Sequence, residues 1–541
     1  MYQKMRCLEK PLERLREIGQ THFHASAFQH ISDVESTDVN KEREPVREPT
    51  PLTFPEYIPK PASISDKPYN EFINLFNSIR KPSDITAQYA EALGISIHAN
   101  VDIQDLVPPS RPDGTSYIPP LPIPGPPGPL QPITSGDPKS VRYLMANGRP
   151  APNLVDFETR VSELMIENDE AWRVVQRRPP PEGKPRRKLA YFRSFFEKLL
   201  LMAQYWDSSA DNYYTIEDEE AANDSNPTRS KDENAMEVDG EEKHTRLVYK
   251  GRRLGNGTEM PEIYREDAVI AFIQGIVYAF GCSVSQPRLP PRLALNKTLF
   301  PVRQTAVVYR LPNDRQQARR GILEGPVMVI QCRPEISFQS EGEKPGEAQA
   351  ERLDLLREVA SSLLTAQERS RDGHTEVKPG EGQWWTTAPR WGGGSGGEVG
   401  NPNGNSDEAS KVGVKEGSKE STRVNKRSRW EALKPPMELW DRRVRYQRIG
   451  VASGDVDDVY MVSSLNHHIS IIHFRVPFAY MEYLTSGEPP SHPPSPDWGK
   501  LDICRSRWFD LLSPSDRSEA FQALWGITAY LMGKADEKVE K

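Results

Sequence analysis

Between Pro108 and Pro152 the chain runs through a proline tract whose centre reads IPPLPIPGPPGPLQP. Proline fixes φ and lacks a backbone donor, so such a stretch builds neither a helix interior nor a central strand. It favours polyproline II, which has no internal hydrogen bonds and no core. The tract reads as a stiff linker ahead of the other reading, a ligand for an aromatic-lined groove, and its Gly-Pro-Pro-Gly-Pro fragment is too short for collagen. The wider composition agrees: of 541 residues, 49 are proline, 36 are glycine and only 36% are hydrophobic, as expected of folded segments alternating with unfolded ones.

Two more stretches interrupt the pattern. From Glu217 to Glu242 there are eleven Asp and Glu against Arg229 and Lys231, a local balance of −9 in a chain whose net charge is −7. So little apolar surface cannot offset the entropy of ordering it, which predicts a solvated insertion over about 217–245. A second, rich in Gly, Ser, Asn and Lys, spans about 392–429. The expected organisation is therefore a largely disordered, proline-rich part with short helices over 1–152, a composite domain over 153–533 carrying both insertions, and a charged tail over 534–541. The flanking pieces are each too small to close a core alone.

Periodicity supplies the elements. Leu8, Leu12, Leu15 and Ile18 share a helical face, and YNEFINLFNSI and ITAQYAEAL suggest short helices near 69–93. Asn153 is a cap for a helix continuing through Trp172, and KLAYFRSFFEKLLLMAQYW is apolar over more than half its circumference. Pro261 opens another helix, followed by strand-like QTAVVYRL and PVMVIQCR, the helix AERLDLLREVASSLLTAQER with Leu353, Leu356, Val359, Leu363 and Leu364 on one face, and a strand-like QWWTTAP. WDRRVRYQRIG, the paired strands DDVYMVSSL and HHISIIHFRVPF, and a last helix SEAFQALWGITAYLMG complete the set. This order predicts an α/β or α+β fold, a mixed sheet flanked by helices.

The helix, hairpin, helix and strand around Val327 to Arg333 resemble the PD-(D/E)XK nuclease-like fold over roughly Pro261 to Pro389. The resemblance implies strand-end carboxylates that hold magnesium and a lysine that positions water. Here Gln331 and Arg333 stand where the acid and lysine would fall, and Asp314 and Glu324 offer one upstream carboxylate without rebuilding the pair. A neutral amide is a poor magnesium ligand and arginine does not readily release a proton. The resemblance thus implies a degenerate scaffold with a vestigial site, and no catalytic, metal or cofactor residue is assigned. In its alternation of polar inserts with tryptophan-rich blocks the chain also resembles fungal-type proteins of unknown function.

Other signals are weaker. His467, His468 and His473, like His22, His24 and His30, lack a Cys, Asp or Glu at a familiar ligand spacing and read as ordinary strand-end histidines. GRRLGNG at 251–257 reads as a surface turn, and no Walker, G-x-S-x-G, H-E-x-x-H or kinase signature occurs. Cys7, Cys282, Cys332 and Cys504 have no C-x-x-C spacing, which predicts a reducing compartment. The charged N-terminus and the lack of ~18 consecutive apolar residues predict neither signal peptide nor membrane span. Lys184, Arg186, Arg187 and Lys188, with Lys426, Arg427 and Arg429, are candidate import or phosphate-contacting runs. Together these features predict a non-enzymatic nuclear regulatory or scaffold subunit with protein partners, a coactivator or repressor subunit in a chromatin-associated complex. Cytoplasmic residence, a metal-dependent nuclease or other phosphoryl-handling enzyme on the nuclease-like scaffold, and a DNA-binding regulator are the alternatives, although no DNA-binding module is recognisable.

Overall fold

A computed structural model describes residues 48–57, 62–108, 110–111, 114–122, 143–183, 185, 187–217, 245–249, 251–340, 342–344, 346–379, 381, 441–450, 455–492 and 495–533. The chain divides into two compact units, Met1–Glu48 with Ser208–Gly255, and Pro49–Asp207 with Asn256–Lys541. The expected helix over Leu8–Ile18, the strand QWWTTAP, the acidic insertion, the 392–429 insertion and the charged tail lie outside the described residues.

The elements begin within the part expected to be mostly disordered. Helices α1 (Tyr69–Asn77) and α2 (Ala87–Ala92) lead into strand β1 (Ile95–Val101), which belongs to the main sheet. Among the described residues the larger unit therefore takes in the chain from Pro49 onward, ahead of 153. The strand signal was there to read, since ISIHANV alternates apolar Ile95, Ile97, Ala99 and Val101 with Ser96, His98 and Asn100, but the segment is short and the proline-rich composition around it masked it.

Helices α3 (Leu154–Leu164) and α4 (Asn168–Val175) replace the single helix expected to continue past Asn153. Asn153 does cap the first, accepting from the Asp156 amide. The break follows from a tertiary partner: buried Arg517 donates to the carbonyls of Leu164 (2.6 Å) and Ile166, which takes them from a continuing helical ladder. Helix α5 (Arg193–Trp206) follows. In the smaller unit, β2 (Tyr213–Glu217) and β3 (Thr245–Tyr249) pair antiparallel with Glu217 opposite Thr245. Asp211 closes the base of the pair, bound to Arg253 at 2.6 Å and accepting from the Tyr249 hydroxyl at 2.6 Å.

The larger unit resumes with α6 (Glu262–Val277), β4 (Cys282–Ser285), the hairpin of β5 (Arg292–Leu295) and β6 (Thr298–Pro301), β7 (Ala306–Arg310), the short α7 (Arg315–Arg319) and β8 (Ile322–Arg333). Helix α8 (Gln349–Ser370), β9 (Thr375–Lys378), β10 (Arg442–Tyr446), β11 (Val456–Leu465), β12 (His468–Pro477), α9 (Phe478–Ser486), β13 (Leu501–Ser506), β14 (Phe509–Asp510) and α10 (Pro514–Leu531) complete it. Strands β1, β13, β12, β11 and β8 are consecutive neighbours, and β7 then β4 continue the sheet beyond β8. The amino-terminal half of β8 pairs instead with β10, which carries β9, on the side that β11 occupies further along. The fold is mixed α/β, as the element order predicts.

Helices cover both faces. On one, Met328, Ile330, Tyr460, Val462 and Ile471 pack with α3, α5, α6 and α10; on the other, Val329, Met461, Ile472 and Phe474 pack with α1, α8 and α9. A strand buried on both sides must be apolar at consecutive positions, which is why β8 reads as a run rather than an alternation. Because β10 and β11 both pair with β8, a chain cut by an inserted protease site between 392 and 429 is expected to stay associated under native conditions. Separation of the fragments on a sizing column would show that the two sides do not share this sheet.

Candidate functional site

Strands β1, β8, β11 and β13 run in the same direction, so Val101, Arg333, Leu465 and Ser506 end at one edge. In open α/β sheets this carboxyl edge is where ligands bind. Side chains alternate along a strand, which places Gln331 and Arg333 on one face, with Ser463 beside Gln331 on β11. On α8 the three-and-four spacing of Glu351, Asp354 and Glu358 turns three acids toward the sheet.

The result is a buried charge cluster. Glu358 accepts from Arg333 Nη1 at 2.8 Å, from the Ser463 hydroxyl at 2.7 Å and from Arg505 Nη2. Asp354 accepts from Arg333 Nη1 at 2.5 Å and from the Tyr57 hydroxyl at 2.6 Å. The side chains of Arg333, Asp354, Glu358 and Arg505 are all at most 5% exposed. Burial opposes the charge of Glu358, but Arg505 and Arg333 outweigh it and hold the carboxyl below its usual range. At Asp354 burial wins over Arg333, and Glu358 adds to it, so this carboxyl is raised. Burial, then Asp354 and Glu358, push the Tyr57 phenol well up and keep it a donor.

Residues 49–57 close the edge from outside. The Thr53 amide donates to the Ile336 carbonyl at 2.9 Å and the Glu56 amide to Glu351 at 3.0 Å. Phe54 stacks on Trp508 at 4.9 Å, and the Arg505 guanidinium lies 4.9 Å from the Tyr57 ring centroid. Beside Tyr57 opens a cleft of about 190 Å³ lined by Glu56, Glu91, Glu347 and Glu351, with Arg352 its one cation. A polyanion approaching here meets carboxylates first, and Arg333 and Arg505 are engaged beneath.

No protein family, curated protein or solved structure matches the chain.

The four vestigial-site candidates are not brought together. Gln331 and Arg333 lie at the carboxyl end of β8, while Glu324 lies near its amino end, about 23 Å from Gln331 and about 30 Å from Arg333 at the strand rise. Glu324 pairs there with Arg310 at 3.0 Å and Arg445 at 3.6 Å, and Asp314 caps α7 by accepting from the Gln316 amide at 2.8 Å. Of the basic candidates, Arg187 and Lys188 are exposed, with Arg187 3.2 Å from Glu170. Lys184, Arg186, Lys426, Arg427 and Arg429 lie outside the described residues, as do His22, His24 and His30.

His473 is paired with Asp458 at 2.8 Å and stacked on Tyr460 at 4.5 Å, a satisfied strand histidine. His467 and His468 differ: with Asp510 they form a group whose donor atoms lie within 4.8 Å of one another. Sequence reading missed Asp354, Glu358, Arg505 and Asp510. The first two carried a signal, an acidic i, i+4 pair flanked by Leu355 and Val359 on a helix that must bury a face. Arg505 and Asp510 carried none, since only the sheet pairing brings them in.

Proposed function

We propose that this chain is a non-catalytic binding subunit acting through protein contacts, with an amphipathic, acid-flanked segment of a partner seated in an apolar cleft beside α8. The cleft carries the reading. It measures about 240 Å³, and every lining residue except Arg303 and Arg357 is apolar, including Phe76, Ile79, Leu293, Phe300, Leu353 and Leu356. Cofactor pockets are larger, about 300–1,000 Å³, and carry convergent polar groups. A smaller, apolar recess suits one or two anchoring side chains of a helix or peptide. Arg303 and Arg357 pair with Glu262 and Glu335, with both arginines over a third exposed. Such surface pairs are worth about 0–1 kcal/mol, so carboxylates of an incoming segment can exchange for them.

The test is quantitative affinity purification of wild type and Leu356→Glu, with Leu144→Glu, at an already exposed position, as control. Loss of at least tenfold of one defined partner in Leu356→Glu alone is expected; full retention of every partner would exclude the cleft.

The engagement of Arg333 by Asp354 and Glu358 supports the non-catalytic half, and the helix–strand–strand–helix–strand order keeps a nuclease-like scaffold within the proposal. Purified protein is expected to show no magnesium- or manganese-dependent cleavage of DNA or RNA, and Asp314→Ala to retain function. Metal-dependent cleavage lost in Asp314→Ala would favour the nuclease alternative. The proposal keeps the nucleus and a chromatin-associated complex as the setting, resting on the basic runs at 184–188 and 426–429. Neutralising both runs should move a tagged protein to the cytoplasm, and unchanged nuclear accumulation would remove that part.

A further inference from the structure

We infer that His467, His468 and Asp510 form a binding site for a divalent transition metal of the zinc class. In a regular strand two successive histidines would point to opposite faces. Here Asn466 takes a left-handed φ of 53°, so His467 lies in the β11–β12 turn and its ring centroid comes to 4.2 Å from that of His468. Strand β14 pairs with the start of β12, His468 opposite Asp510, and delivers the carboxylate.

The spacing is not that of a hydrogen bond. His467 Nε2 and Asp510 Oδ1 are 3.9 Å apart, beyond hydrogen-bond range. Around a tetrahedral zinc with bonds of 2.0–2.2 Å, neighbouring ligand atoms stand about 3.4 Å apart, so small side-chain rotations bring the three donors to coordinating distance. A second observation points the same way. Nδ1 of both His467 and His468 is buried with no hydrogen-bond partner among the described residues, and His467 as a whole is 8% exposed. Buried polar atoms are ordinarily partnered, and these two sit on adjacent rings that each bring a ring nitrogen within 4.8 Å of an Asp510 carboxylate oxygen.

The surroundings fit a ligand set. The Leu512 amide donates to Asp510 Oδ1 at 2.8 Å and the Asp510 amide to Asp516 at 3.0 Å, fixing the carboxylate. Trp206 packs 4.8 Å from the His467 ring and Phe54 5.0 Å from that of His468, while the 32% exposure of the Asp510 side chain leaves a way in. Two imidazoles exclude magnesium and calcium, which take oxygen ligands, and favour zinc or its first-row neighbours. The site stands on its own geometry and does not depend on the apolar cleft. A bound ion would tie the β11–β12 turn to β14 and stabilise the folded chain by mass action.

The full chain, stripped with a chelator, is titrated with zinc by calorimetry, alongside His468→Gln, Asp510→Asn and the control His473→Gln. One equivalent is expected for wild type and the control, at least tenfold weaker binding for each of the other two, and no competition from magnesium. Copper-loaded wild type should show nitrogen hyperfine structure by electron paramagnetic resonance and no thiolate charge-transfer band in its absorption spectrum, a result that needs no variant to fold. No stoichiometric zinc in wild type, binding unchanged in both Asp510→Asn and His468→Gln, or thiolate ligation would each overturn the site.

Discussion

Glu358→Ala is expected to destabilise the larger unit by about 3–5 kcal/mol, the usual cost of removing one partner from a buried ion pair. Glu358 touches two guanidiniums and a hydroxyl, and its side chain is 1% exposed. Without it, Asp354 remains to offset Arg333, but Arg505 loses its only carboxylate contact in the cluster. Chemical denaturation of wild type and variant measures the difference. If the cluster is structural, replacing Arg333, Asp354, Glu358 and Arg505 together by Met, Leu, Leu and Met restores much of the loss, because a well-packed apolar substitute for a buried ion cluster is often neutral or better. A quadruple variant as unstable as Glu358→Ala would show that the charges do more than offset one another.

Ile330→Asp and Val329→Asp are expected to prevent folding. Both side chains are fully buried at the centre of β8, on opposite faces of the sheet, so each tests one of the two helical layers. An unpaired carboxylate there costs several kcal/mol, comparable to the 5–15 kcal/mol by which whole domains are stable. Circular dichroism should show lost secondary structure for both. By contrast, Asp314→Ala removes only a helix cap on an exposed five-residue helix, a loss of about 1 kcal/mol.

The elements that local chemistry specifies were legible. The Asn153 cap, the helix after Pro261, the apolar run of β8 and the β11–β12 pair each carry their own period or cap, and each is present. Elements that depend on distant partners were not. β1 has a period of two in ISIHANV, but it draws its hydrogen bonds from β13, some four hundred residues along, and α3 ends where Arg517 reaches its carbonyls. The same holds for the sites. Gln331 and Arg333 could be found from a motif position, but their burial beneath Tyr57 and their separation from Glu324 follow from the sheet. The apolar face assigned to α8 illustrates the limit: Val359, Leu363 and Leu364 are buried as expected, whereas Leu353 and Leu356 are only partly covered and line the cleft.

A photo-crosslinking residue placed at Leu356 tests the central claim most directly. Irradiation of the intact protein in its own cells, followed by mass spectrometry of the linked peptides, is predicted to trap one recurrent partner segment with apolar residues at helical spacing and flanking Asp or Glu. Links confined to this chain's own residues, or scattered over unrelated peptides at background level, would contradict a partner seated in the cleft.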